Sequence, residues 1–127
     1  MVQLRDLYPK LEELGVDLIG VSPDKPAKAK ESQEKHNLQF PLLSDSCMVA
    51  ARAFGVAYQV DAPTLATLAK FGMDLEEASG EKHHLLPVPA VFFVGKNGVI
   101  QFEYVNPDYK VRLHPDILLA AARISLD

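Results

Sequence analysis

AVFFVGKNGVIQFEYV, residues 90–105, decides how the rest of the chain is read. Two runs of apolar, aromatic and β-branched residues flank Gly95-Lys96-Asn97-Gly98, and that combination signals an antiparallel hairpin. Just before it stands LLPVP, residues 85–89, where two prolines interrupt any regular pattern. After it, NPDY reads as a turn. HPDILLAAARI, residues 114–124, then predicts a closing helix, with Pro115 near its start and Ile117, Leu118, Ala121 and Ile124 as its apolar stripe.

The opposite end of the chain has a different rhythm. Leu4, Leu7, Tyr8, Leu11 and Leu14 share one face of a helix that Gly15 can stop. VDLIGV predicts a buried strand over Val16–Val21, and SPD supplies turn chemistry. A second helix follows to about His36, with Asp24 as cap and Pro26 in the first turn; it carries few large apolar residues and belongs on the periphery. FPLLSD is a short strand. SDSCMVAARAFG is a helix beginning at Ser44 or Asp45 and ending at Gly55. DAPTLATLAKFG predicts another short helix from Asp61 to Gly72, and GMDLEEASGEKHH is read as an exposed excursion without regular structure. The order is helix, strand, helix, strand, helix, short helix, hairpin, helix: an α/β chain of 127 residues, read as a single domain over 1–127.

Composition narrows the partners. The chain is 48% hydrophobic and 24% charged, with a net charge of −4 and no dense Lys/Arg stripe, so neither nucleic acid nor an anionic membrane is expected. The basic run KPAKAK, Lys25–Lys30, is followed by Glu31 and Glu34 and reads as a solvated helix face. No signal-peptide pattern and no membrane-length apolar run is present. With one cysteine, Cys47, no intrachain disulfide can form, which fits a reducing, cytoplasmic setting.

Four phrases in order, LEELGVDLIGVSPD, LQFPLLSD, ARAFGV and LPVPAVFFVGKNGVIQFEYVNPDY, resemble the peroxiredoxin-like branch of the alkyl hydroperoxide reductase/thiol-specific antioxidant family. The resemblance implies a thioredoxin-like three-layer sandwich, an antioxidant oxidoreductase that reduces peroxides with a thiol, and a thioredoxin-like thiol reductant as partner. It also implies that Val88 and Pro89 lie near the family's site, with a cis Val88-Pro89 bond. The residues themselves equally allow a trans proline opening the strand. In such a protein the peroxidatic cysteine sits in the first turn of the first helix, where helix N–H groups and an arginine stabilise the thiolate that attacks peroxide.

Here no cysteine stands in or before the first helix, and no arginine occurs in VPAVFF; Arg112 is the nearest in sequence. The expectation is therefore an N-terminally truncated domain lacking its first central strand and inactive as it stands. The open sheet edge would be closed in one of three ways: by pairing of 16–21 with the hairpin, by homodimerisation through that edge, or by residues of a longer chain. Cys47 is the one candidate reactive thiol. It lies near a helix start, but Asp45 places a like charge beside any thiolate, and a lone helical cysteine is more often packing than chemistry. His83 and His84 are adjacent and diverge, Glu81 nearby completes no metal-ligand spacing, and the carboxylates Asp74, Glu76, Glu77 and Glu81 read as solvated; neither metal nor cofactor is expected. The competing reading is a non-catalytic interaction module of the same fold.

Overall fold

The computed structural model describes residues 2–108 and 113–125. In chain order the elements are α1 (Val2–Glu13), β1 (Gly20–Ser22), α2 (Pro26–Lys35), β2 (Leu42–Ser44), α3 (Val49–Ala53), β3 (Ala57–Gln59), α4 (Ala62–Lys70), α5 (Leu75–Ser79), β4 (Leu85–Pro87), β5 (Ala90–Val94), β6 (Ile100–Val105) and α6 (Pro115–Ser125). The chain is α/β, as its patterning predicts.

The hairpin forms where the sequence places it. Ala90 pairs with Val105 and Phe93 with Phe102; Gln101 is then passed over and Val94 meets Ile100, a bulge at the loop end. Gly98, at φ 80°, supplies the left-handed residue the loop requires, and its N–H donates to the Gly95 carbonyl at 2.9 Å. Strand alternation then sorts the side chains. Val91 and Phe93 pack against a core of Leu7 and Leu11 from α1 with Leu118, Leu119 and Ala122 from α6. Phe92 meets Phe54, the residue closing α3, with ring centroids 4.7 Å apart. Helices thus contact β5 from both of its faces.

A second core joins Ala29 of α2 to Leu38, Phe40 and Leu42, and Tyr8 of α1 tilts over Phe40 at 5.9 Å. Leu4 and Leu18 pack against both cores. The first-helix stripe is therefore confirmed, although Pro9 stands inside α1 and removes one backbone donor. The α6 stripe is corrected. Leu118, Leu119, Ala121 and Ala122 are buried, whereas Ile117 and Ile124 face solvent, because the side of α6 turned to α1 is set by 118, 119 and 122.

The sheet departs from the expected continuous layer. Only Gly20–Ser22 is strand, parallel to Leu42–Ser44, and residues 16–19 belong to none. β1 pairs with β2, β3 with β4 and β5 with β6, in three separate two-stranded sheets. Of the three ways of closing the open edge, pairing of 16–21 with the hairpin does not occur. Leu18 instead contributes its side chain to both cores, so packing rather than a backbone ladder ties the N-terminal half to the hairpin side.

Three further elements escape the sequence reading. β3 and β4 pair antiparallel, extended by Val60 N–H to His84 O (3.0 Å) and Val88 N–H to Val56 O (2.8 Å), and so close the base of the excursion. Each is three residues long and β4 ends in proline, too short for alternation to register. Within the excursion, α5 forms because the Asp74 carboxylate accepts from the Glu76 and Glu77 N–H groups and Gly80, at φ 75°, ends the helix.

Candidate functional site

Cys47 lies in the turn between β2 and α3, exposed to solvent. The turn is organised by Asp45. Its carbonyl accepts from Met48 N–H at 2.8 Å, and its two carboxylate oxygens accept from the Ala50 and Ala51 N–H groups at 3.0 and 2.9 Å. The sequence brings the helix start close to Cys47, but the helix begins at Val49, with buried Met48 as its cap residue in the left-handed region at φ 60°. Asp45 therefore occupies the first-turn donors that would otherwise be available to an anion. The Cys47 Sγ instead donates to Glu81 Oε1 at 3.6 Å, a bond that a thiol makes and a thiolate cannot.

Glu81 comes from the segment after α5, and the next residues fix how that segment sits. His83 Nδ1 receives the Leu85 N–H at 3.0 Å, while Nε2 lies 2.6 Å from the Ser46 carbonyl. An N–H can only donate, so Nδ1 is the acceptor and the ring proton resides on Nε2, donating to Ser46. His83 thus bridges the Cys47 turn to the base of the excursion. His84 turns the other way, in the left-handed region at φ 54°, with Nε2 3.6 Å from Glu76 Oε1. The two rings diverge as adjacency predicts. No group of three potential metal ligands gathers among the described residues.

Val88 and Pro89 stand elsewhere, between β4 and β5. The Val88–Pro89 bond is trans, since no cis peptide occurs among the described residues, and this corrects the cis expectation. The physical setting suits a trans proline. Pro89 immediately precedes β5, where its missing N–H costs no ladder bond, and its carbonyl still accepts from Asn106 N–H at 3.2 Å. No hydrogen bond joins Cys47 to Val88 or Pro89 among the described residues. Arg112 lies outside the described residues. Near His83, a cavity of about 20 Å³ lined by Pro23, Leu75, His83 and Leu86 has room for a water and not for a substrate.

Sequence reasoning missed the roles of His83 and Glu81, because contacts between residues 34 to 37 positions apart leave no local signature. The α5 signal was present: Asp74, with Glu77 three residues on and Gly80 at the end, has the pattern of a capped helix.

A model of the AhpC/TSA family matches residues 1–103. The chain belongs to the AhpC/TSA family. This AhpC/TSA chain therefore has a thioredoxin-family fold, with its hairpin and α6 at the C-terminal end. It is 31% identical over 102 residues to peroxiredoxin Q, chloroplastic, of Oryza sativa subsp. japonica, covering 80% of this chain and 37% of the rice protein. It is 45% identical over 53 residues to peroxiredoxin Bcp of Escherichia coli strain K12, covering 42% of this chain and 34% of that protein. Peroxiredoxin Q, chloroplastic, of Gentiana triflora is 29% identical over 102 residues, 80% of this chain and 37% of its own length. The AhpC/TSA chain thus spans little more than a third of these relatives. None of its described helices is long and apolar enough to cross a membrane.

Proposed function

We propose that this chain is the scaffold of a peroxiredoxin-type antioxidant oxidoreductase that has no competent nucleophile among its own 127 residues. In that chemistry a thiolate attacks the peroxide O–O bond. The products are a sulfenic acid and an alcohol or water, and an external thiol reductant then restores the cysteine. The AhpC/TSA match over residues 1–103 supports the reaction class. The observation that carries the rest is Cys47: the chain's only thiol donates to a carboxylate, while Asp45 takes the helix donors beside it. A reducing compartment such as the cytoplasm suits a chain with one free cysteine.

The test is peroxide consumption by the purified chain with dithiothreitol or thioredoxin as reductant, for which no turnover above buffer is expected. Robust consumption that disappears in Cys47→Ala would overturn the assignment. Sequencing the locus 5′ of the Met1 codon addresses the enzyme itself. An in-frame segment carrying Thr/Ser-x-x-Cys supports it, and an in-frame stop favours the alternative.

That alternative is a non-catalytic interaction module, and one observation favours it. Val21 and Leu43 are register partners on β1 and β2, and both are half-exposed on the sheet face opposite the buried Gly20 and Leu42. An extended peptide, or a second copy pairing along the free edge of β1, would cover that face.

A further inference from the structure

The joint between the excursion and the Cys47 turn depends on the protons that one imidazole carries. His83 uses both ring nitrogens on backbone: Nδ1 accepts from Leu85 N–H at 3.0 Å, and Nε2 donates to Ser46 O at 2.6 Å. A second proton on the ring goes to Nδ1, the nitrogen that still bears a lone pair. The acceptor then becomes a donor facing another donor. The Ser46 bond survives this change, since Nε2 keeps its hydrogen, but the Leu85 N–H loses its partner. Protonation therefore undoes the bridge on the β4 side alone.

That side is poised to open. His84 is held in the left-handed region at φ 54°, which a residue other than glycine keeps only where its surroundings fix it. The bond from Leu85 to His83 spans His84 and pins it from both flanking residues. Its carbonyl accepts from Val60 N–H at 3.0 Å and from the Gln59 side-chain amide at 3.2 Å. Without the Leu85 bond the backbone at 84 can relax, and Leu85 leaves its register with Gln59.

The charged groups around the ring supply no substitute acceptor. On the turn, Asp45 is committed to the Ala50 and Ala51 N–H groups, and Cys47 is bonded to Glu81. Asp24, which lines the same small cavity as His83, accepts from the Ser22 hydroxyl. Lys82, and Lys25 beside Gly80, bring only donors. His84 responds in the opposite sense, because as an imidazolium it pairs with Glu76 of α5.

We propose that His83 is an acid-operated latch: its protonation unpins Leu85 and opens the base of the excursion where β4 meets β3. Residues 81–83 stay on the Cys47 turn, and the ion pair of His84 with Glu76 keeps α5 joined to the opened segment. The latch needs no peroxide chemistry and operates whether or not the chain is part of an enzyme.

Amide exchange of the whole chain by NMR, from about pH 7.5 to 5 and corrected for the intrinsic rate at each pH, tests the latch across the range where imidazole ordinarily titrates. Protection of Leu85 and Val60 is expected to fall at least roughly fivefold on the acid side, while Leu11 and Ala122 keep theirs. The ring-nitrogen shifts of His83 should follow the same curve. His83→Asn places an oxygen acceptor for the residue two positions on that takes up no proton, so Leu85 stays protected throughout. His84→Asn tolerates the left-handed backbone and is expected to keep the acid response. Circular dichroism confirms that each variant is folded. Constant Leu85 protection in the native chain overturns the proposal, as do ring and amide curves with separate midpoints. So does an acid response that survives in His83→Asn, or one that vanishes in His84→Asn and thereby places the sensor at His84.

Discussion

His83 shows how much a single side chain can organise without doing chemistry. With Nδ1 accepting from Leu85 and Nε2 donating to Ser46, the ring satisfies one backbone group on each side of the joint between the Cys47 turn and β4. Truncation to alanine leaves both groups without their partner. His83→Ala is expected to cost about 1–3 kcal/mol in urea unfolding, with the largest NMR shift changes at 45–48 and 83–86. Nitrogen chemical shifts of His83 at neutral pH should report the tautomer protonated at Nε2. Gly20 is a second case. A Cβ there would stand 2.9 Å from Leu42 Cδ1 and 3.3 Å from Phe40 Cε2, inside the second core. Gly20→Ala is expected to destabilise by about 1–2 kcal/mol, and Leu42→Val, which removes Cδ1, to recover part of that loss in a double-mutant cycle. From sequence, Gly20 looked like one more member of an apolar run, because a close approach depends on which residue arrives opposite.

At the scale of elements, legibility follows length and period. The hairpin and α1 were readable because each repeats its pattern over many residues. β3 and β4 were not, since three residues carry no period and their pairing spans the whole excursion. The Cys47 helix was half readable: its Gly55 stop was right, but Asp45 caps from farther away than a local rule predicts and pushes the start to Val49. The cap of α2 also moved, to Lys25, because the Asp24 side chain is engaged by the Ser22 hydroxyl at 3.0 Å. Asp61 was read correctly, and its cap makes a pH prediction. The Thr64 hydroxyl and then the Thr64 N–H hold its carboxyl below the ordinary 3.8. A depressed folded value means the cap's contribution is complete above the unfolded pKa and is lost as pH falls through the lower folded one. Carbon chemical shifts of residues 62–66 should therefore stay helical from pH 7 down to the ordinary carboxyl value of 3.8 and move toward coil only below it. Asp61→Asn, which keeps an acceptor without a titrating group, should remove this pH dependence.

For the whole molecule, the question is what makes three two-stranded sheets unfold as one body. No ladder connects them, so cooperativity has to pass through side chains. Leu4 and Leu18 are the described residues packed against both cores, and Leu18 belongs to the first part of the predicted strand, residues 16–19, which joins no ladder. The apolar pattern of VDLIGV was thus right in part on both counts. Gly20 and Val21 pair with β2 and Leu18 packs inward, whereas residues 16–19 join no strand and Ile19 and Val21 are exposed. An apolar run by itself settles neither pairing nor burial at each position. Leu18→Ala should consequently do more than remove methyl groups. The expected loss is about 2–3 kcal/mol from transfer and cavity terms, together with a lower urea m-value as the two cores begin to open separately. Leu119→Ala, confined to the first core, should cost a similar amount with m unchanged. The distinguishing measurement is urea unfolding followed at once by far-UV circular dichroism and by NMR signals assigned to Phe40 and to Leu118. Coincident transitions are expected for the native chain and for Leu119→Ala, and separated ones for Leu18→Ala. Coincidence in all three would show that the two cores are coupled by something other than Leu18.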